Sequence, residues 1–365
     1  MRIAHLADTH LGYRQYNLDE REQDLYDAFN QIIDKAIEER VDVIIHSGDL
    51  FERSHPPIKA LLTLKDALKK IRGKIKFLSI LGEHDIPKRK AIIPHKLFDI
   101  HLLGANYKLE TIKIDNVLFA GISNLKGRYV GTLKEEIKRF DNITEDFKHS
   151  VLILHQAIKK YLPFEGAYEL TLDELPRKAS YYALGHIHAR NELKFGNGIL
   201  AYSGSTEIMS KDEISSWKNK GKGFYLIDLD NDNINYEFIP LDIRPQVSIE
   251  LNVANVEKIL DFLTFDKKPL LHLKIFGEKI DKSHIQEQIE RIIRGKVIFH
   301  RVLFREADIR EVPIPQDAIN LLSIFKDYFK KEEIGEFAKN LYDILSEGDV
   351  DSAIKLAKNF MEENE

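Results

Sequence analysis

Residues 1–10 read MRIAHLADTH, 41–50 read VDVIIHSGDL and 75–85 read IKFLSILGEHD. In each, an apolar run of strand length stops at residues bearing a carboxylate or an imidazole: Asp8 and His10, then Asp49, then Glu83, His84 and Asp85. Between these runs, 20–39 repeats Leu25, Phe29, Ile32, Ile33, Ala36 and Ile37 at helical spacing, and 57–70 fits a second helix. Strand, helix, strand, helix, strand predicts parallel pairing with right-handed crossovers. The carboxyl ends of parallel strands share one rim, where ligands bind, so side chains distant in sequence can converge there.

The same signature returns further along. Strand patterns follow at 117–122, 151–154, 181–184, 199–202, 224–229 and 234–239, with fewer helical patterns between them; His155 follows one, and Gly185-His186-Ile187-His188 follows another. In Asp8-x-His10 and His186-x-His188 the paired side chains lie two apart, on the same side of an extended segment, and can grip one metal or two neighbours. Glycine precedes Asp49, Glu83 and His186, allowing the sharp turns of a crowded site. The chain has no cysteine, so any metal must rest on oxygen and imidazole nitrogen, a donor set that suits Mn²⁺, Fe²⁺ or Zn²⁺ better than Mg²⁺ alone. A carboxylate shared between two such ions is the arrangement that hydrolyses phosphate esters. A single histidine at a strand end is most often a satisfied structural group. Five such blocks in one chain point instead to a site.

Beyond Pro240 and Pro245 the pattern resets to strand 247–253, helix 255–263, strand 270–276, helix 282–294 and strand 297–304, a small α+β module. After Pro313 and Pro315 come three short helical patterns whose apolar faces have too little chain to bury themselves. The expected domains are 1–240, 241–312 and 313–365. The net charge of −5 is unevenly placed, for 313–365 holds six Lys against twelve Asp and Glu, leaving a near-neutral body. Local basic stretches stand out at Lys88-Arg89-Lys90, at Lys218 to Lys222 around Trp217, and between Lys267 and Arg305. No apolar run approaches the roughly 18 residues of a membrane span, so no membrane association is expected, and with no leader sequence visible the cytoplasm is the expected default.

The blocks D-x-H, G-D, G-E-H-D, H and G-H-x-H, in that order across residues 8 to 188, resemble those of the calcineurin-like metallophosphoesterases. HLADTHLGYRQYN, SGDLFERSHPP, YYALGHIHAR and YSGSTEI further resemble the SbcD-type, meiotic-recombination-eleven nucleases of DNA double-strand-break repair, strongly over about residues 1–245. The resemblance implies an α/β fold, a β-sandwich flanked by helices, with a small α+β cap and a C-terminal helical segment. It implies two Mn²⁺ per subunit, one held by Asp8, His10 and His188, the other by Glu83, His155 and His186, with Asp49 between them. His84 would be the catalytic histidine and Asp85 would orient it. The chemistry implied is in-line attack of hydroxide on a phosphodiester, with His84 steadying or protonating the leaving oxygen. Two residues depart from the pattern. Glu83 stands where asparagine is usual, and Glu52 where relatives often carry histidine; the extra charge of Glu83 should tighten metal binding and weaken attraction for phosphate.

Partners are implied in the same way. DNA ends would be gripped through phosphate by Lys88, Arg89, Lys90 and Arg128. A homodimer would form through an apolar seam of Leu61, Leu64, Leu68, Leu97 and Phe98. Leu322, Phe325, Phe329, Leu341, Leu345 and Ile354 in the tail would dock a coiled-coil, SMC-like ABC ATPase. Together these imply a Mn²⁺-dependent nuclease with 3′–5′ double-strand exonuclease and single-strand endonuclease activity. Alternatives are a phosphatase or nucleotide phosphodiesterase of the same fold, which GDLFERS and the extra modules fit poorly, and a catalytically weakened scaffold subunit, favoured only by Glu83.

Overall fold

The computed structural model describes residues 1–87, 92–164, 166–230, 234–306, 325–326, 328–346, 353–354, 356–357 and 360. The opening stretch forms β1 (Arg2–Leu6), α1 (Asp19–Glu38), β2 (Val43–His46), α2 (Ile58–Ile71) and β3 (Lys76–Ser79), followed by a short β4 (His101–Leu102). These strands pair in parallel, with Ile3 opposite Val43 and Val43 opposite Lys76. Acidic Asp19, Glu20 and Glu22 occupy the first turn of α1, where the helix dipole favours negative charge.

The strand-rich half forms β5 (Glu110–Ile114), β6 (Val117–Ile122), α3 (Val130–Lys138), α4 (Phe140–Ile143), β7 (His149–His155), β8 (Tyr181–Gly185), β9 (Asn191–Phe195), β10 (Gly198–Tyr202), α5 (Ile214–Lys220), β11 (Gly223–Leu229) and β12 (Ile234–Pro240). Two six-stranded sheets result, in the orders β12-β11-β1-β2-β3-β4 and β5-β6-β7-β8-β10-β9. β11 returns to lie antiparallel against β1, with Arg2 opposite Asp228.

Strand alternation explains the layering. Ile3, Val43, Ile45 and Leu78 of the first sheet pack against Phe119, Val151, Ile153 and Ala183 of the second, making an inter-sheet core. Their neighbours Ala4, Leu6, Ile44 and Phe77 face the other way, onto Phe29, Ile32 and Ile33 of α1 and Leu64 of α2. In the second sheet Leu152, Leu154 and Tyr182 turn to Leu133, Ile137 and Phe140. The architecture is therefore a β-sandwich flanked by helices, with near-continuous apolar strands because both faces are covered.

Residues 246–306 form a three-stranded sheet of β13 (Gln246–Asn252), β14 (Leu270–Gly277) and β15 (Phe299–Glu306) with α6 (Lys282–Ile293). The helix expected at 255–263 is instead a 3-10 segment, Val253–Phe262, broken at Asn255 (φ −116°, ψ 21°). By compactness the chain divides into one unit of Met1–Ile275 with Asp281–Phe304 and a second of Phe276–Ile280 with Arg305–Glu365. In the second, α7 (Glu332–Ser346) carries Glu332 and Glu336 paired to Lys326, and Phe337 stacks on Phe360 at 4.1 Å. No helix among the described residues is long and apolar enough to cross a membrane.

Candidate metal centre

β1, β2, β3 and β8 end before their polar blocks, whereas β7 carries His155 as its last residue. β1 stops at Leu6, and Asp8 (φ 52°) and His10 (φ 43°) both have left-handed backbone, as do Asp49 (φ 54°) and His186 (φ 88°). The expected extended geometry of Asp8-x-His10 is thus not what is found: the chain turns at each of these residues. Left-handed backbone is costly for residues with a Cβ and persists where surrounding contacts impose it, commonly at functional sites. Here the contacts are cross-loop hydrogen bonds. Asp8 N–H donates to Gly48 O (3.1 Å) and His10 N–H to Asp49 O (3.1 Å), while both carboxylate oxygens of Asp8 accept from His186 N–H (3.1 Å). Gly82 has no room for a side chain, since a Cβ there would lie 2.2 Å from Asp49 N.

Ligand-capable atoms from the ends of five strands come together here. Asp8, His10 and His188 form one group within 4.8 Å; His10, Asp49 and His84 form a second; Asp8, Asp49 and His155 form a third. Glu83 and His186 belong to none of the three. His186 packs its ring against His155 at 5.3 Å, and the Glu83 carboxylate is ion-paired with Lys126.

Three imidazoles are tied at Nδ1 and present Nε2 to the centre. His10 Nδ1 donates to Glu52 Oε2 (2.9 Å), His188 Nδ1 to Glu213 Oε1 (3.0 Å) and His155 Nδ1 to Ser47 O (2.7 Å). With Nδ1 committed as donor, each neutral ring offers a lone pair at Nε2. His10 Nε2 and His188 Nε2 face each other at 3.2 Å, and the buried His155 Nε2, 3.3 Å from Asp49 Oδ2, has no hydrogen-bond partner. Converging ring nitrogens, two of them sharing a proton that a cation would replace, fit a divalent cation, and the all-oxygen-and-nitrogen donor set agrees.

The electrostatics point the same way. Burial alone would lower the His10 imidazole, but Glu52, Asp49 and Asp8 outweigh it and raise its pKa to about 9. His155 is likewise opposed by burial yet lifted by Asp49, Asp8 and the Ser47 carbonyl to about 10. Burial works against the Asp49 carboxylate, but His155, His10 and His84 hold it far below the usual range. His186 goes the other way, pushed down to about 4 by burial and by His155. A pocket that draws protons onto two buried imidazoles is strongly cation-seeking, and metal binding would displace those protons.

His84 stands at the edge, its ring 4.8 Å from that of His10, with Nδ1 donating to the Glu52 carbonyl (2.8 Å). The expectation that Asp85 orients it is corrected. Asp85 is fully buried and accepts from the N–H groups of Leu50 (3.2 Å), Phe51 (3.0 Å) and Gly82 (3.0 Å), because those amides have no other partner when the two loops close together. It fastens loops, and Glu52 holds His84. Beside His84 a cavity of about 460 Å³ is lined by Glu52, Arg53, Ser54, His55, Glu83, His84, Ile86 and Pro87.

Other expectations fare unevenly. Lys88, Arg89 and Lys90 lie outside the described residues, as does Leu322, and so does the side chain of Leu345. Arg128 lies over the Tyr129 ring at 4.8 Å. Leu64 is a core residue and cannot face a partner; Leu61, Leu68 and Phe98 are half-buried on that core, and Leu97 is exposed. Phe325 and Leu341 are half-buried, while Phe329 and Ile354 are exposed. Lys222, at the end of one of the local basic stretches, is buried, with Nζ bonded to Glu213 (2.6 Å), Ser205 (2.5 Å) and the His188 carbonyl (2.9 Å). Sequence reasoning missed Glu213, Lys126 and the Ser47 carbonyl. Nothing in KDEISSWK distinguishes Glu213 from a solvated acid, because its partner His188 comes from another loop.

The sandwich and this rim define a metal-dependent phosphoesterase. Residues 1–190 match the family model described as calcineurin-like phosphoesterase. The chain is 34% identical to the "DNA double-strand break repair protein Mre11" of Sulfolobus acidocaldarius, over 99% of this chain and 98% of that one. It is 39% identical to the protein of that name from Sulfurisphaera tokodaii, over 80% and 77%. For Saccharolobus solfataricus the figure is 36%, over 93% of each. The chain belongs to the calcineurin-like phosphoesterases and, within them, to the Mre11/SbcD-type metal-dependent nucleases.

Proposed function

We propose that the chain is a Mn²⁺-dependent DNA nuclease, a 3′–5′ exonuclease on double strands and an endonuclease on single strands, acting on DNA ends in the cytoplasm. The observation that carries the reading is the convergence of Asp8, His10, Asp49, His84, His155 and His188 in three overlapping groups. In this reading Asp8, His10 and His188 hold one ion and Glu83, His155 and His186 the other, with Asp49 between. When bound, the ions would supply Lewis acidity and a nucleophile at neutral pH. The chain's own part is to orient and neutralise. Asp49 is kept ionised by the surrounding imidazoles, and His84, half-exposed over the cavity, is placed to steady or protonate a leaving oxygen. Residues 1–240 would form the catalytic domain and 241–312 a cap that orients the duplex.

The partners proposed are a second copy and a coiled-coil ABC ATPase. Ile58, Leu62 and Leu97 expose apolar surface along α2 and the segment after it, which supports a homodimer seam displaced from Leu64. The tail 313–365 would hold the ATPase. The test is cleavage of linear duplex and circular single-stranded DNA with added Mn²⁺, with His84→Ala as control. Cleavage by the native chain and a loss of about 10²- to 10⁴-fold in His84→Ala, with Mn²⁺ binding retained, is expected. Equal cleavage by both proteins would remove His84 from the chemistry, and hydrolysis of phosphopeptide in place of DNA would select the phosphatase alternative.

A further inference from the structure

We propose that the two cation positions load in a set order, the Asp8–His10–His188 position first and tightly, because Glu52 and Glu213 act as positioning carboxylates behind its two imidazoles. The inference rests on the two-metal reading above.

The two halves of the centre are supported differently. At the first, both imidazoles donate Nδ1–H to an anion, Glu52 for His10 (2.9 Å) and Glu213 for His188 (3.0 Å). A carboxylate behind a ligating histidine fixes the tautomer and makes the free nitrogen more basic. Glu213 is itself immobilised: its Oε2 accepts from Lys222 Nζ (2.6 Å), Ser205 Oγ (3.2 Å) and Met209 N–H (3.3 Å). Lys222 is buried, so the Glu213 carboxylate stays ionised and cannot turn away without stranding an ammonium group.

At the second position the support is neutral or diverted. His155 donates Nδ1–H to the uncharged Ser47 carbonyl, and His186 is held through its backbone N–H. Glu83, the one carboxylate belonging to that position alone, is engaged by Lys126, which a cation must displace or share. That ammonium also answers the charge problem posed by the sequence, since it offsets the negative charge that Glu83 adds in place of asparagine.

The experiment is a Mn²⁺ titration of the full metal-free chain, followed by calorimetry and by electron paramagnetic resonance. Two affinity classes are expected, with an uncoupled, mononuclear signal at one equivalent and a spin-coupled signal only as the second fills. Glu213→Gln and Glu52→Gln should each weaken the tight class by about 10- to 100-fold and leave the weak class unchanged. Lys126→Met should strengthen the weak class alone. Glu213→Gln strands Lys222 and can unfold the chain, so Glu52→Gln, at a side chain 21% exposed, is the deciding variant, its fold checked by circular dichroism. Equal affinities at both positions, or a Glu52→Gln effect shared by both classes, would overturn the inference. Absence of any Mn²⁺ binding would instead overturn the metal reading beneath it.

Discussion

Asp85 and Glu83 are separated by one residue and do opposite work. Asp85 points inward and satisfies three amides from two loops, so its loss strands buried N–H groups at about 1–3 kcal/mol each. Asp85→Ala is therefore expected to lower the chain's stability by several such increments in urea denaturation; a loss of activity with stability intact would return Asp85 to the role the sequence suggested. Glu83 points outward to Lys126. Glu83→Asn removes one negative charge from the centre, leaves Lys126 free to attract phosphate, and should raise nuclease turnover while keeping two Mn²⁺. Loss of Mn²⁺ binding in that variant would show Glu83 to be indispensable as a ligand. Both roles escape a linear reading, since D and E in GEHD look alike until the direction of each side chain is known.

β1 shows what the interior of the sandwich asks of its elements. Its apolar alternation serves two cores, yet His5 sits in the inter-sheet layer, fully buried, sharing a hydrogen bond with Tyr181 Oη of β8 (2.9 Å). Burial pushes its imidazole down to about 3, opposed only by the Leu184 backbone. In the unfolded chain the group titrates near its ordinary value of about 6.5. Its contribution is intact above that value. As pH falls from about 6.5 towards 3 the unfolded state gains the proton first, costing about 1.4 kcal/mol of stability per pH unit. His5→Gln should flatten that part of the stability profile, measured by denaturant titration at pH 7, 5 and 4; an unchanged slope would mean another group dominates acid unfolding. The long elements were legible from period: α1 and α2 and the buried strands lie within a few residues of their expected places. β4, β5 and β9 were not. β4 has only two residues, and β9 alternates exposed and half-buried positions at a sheet edge, so neither offers an apolar run to read.

Across the whole molecule, the centre is closed by loops from both sheets, so a cation that binds only the folded chain adds to its stability by mass action. Mn²⁺ at a hundred times its dissociation constant should contribute about 2.7 kcal/mol per site. Thermal unfolding should shift upward with Mn²⁺ and back with a chelator; a melting temperature indifferent to both would argue against the two-metal reading. Which residues stand at the ends of the strands was determined by the sequence alone, because strand and helix periods are local and each apolar run announces its own end. Which of those side chains meet, and what stands behind them, was decided by tertiary structure. Glu213 reaches His188 across 25 residues and Lys126 reaches Glu83 across 43, each pair joining two separate loops. No local pattern encodes such pairs: their geometry exists only once two sheets have packed and buried the charges together.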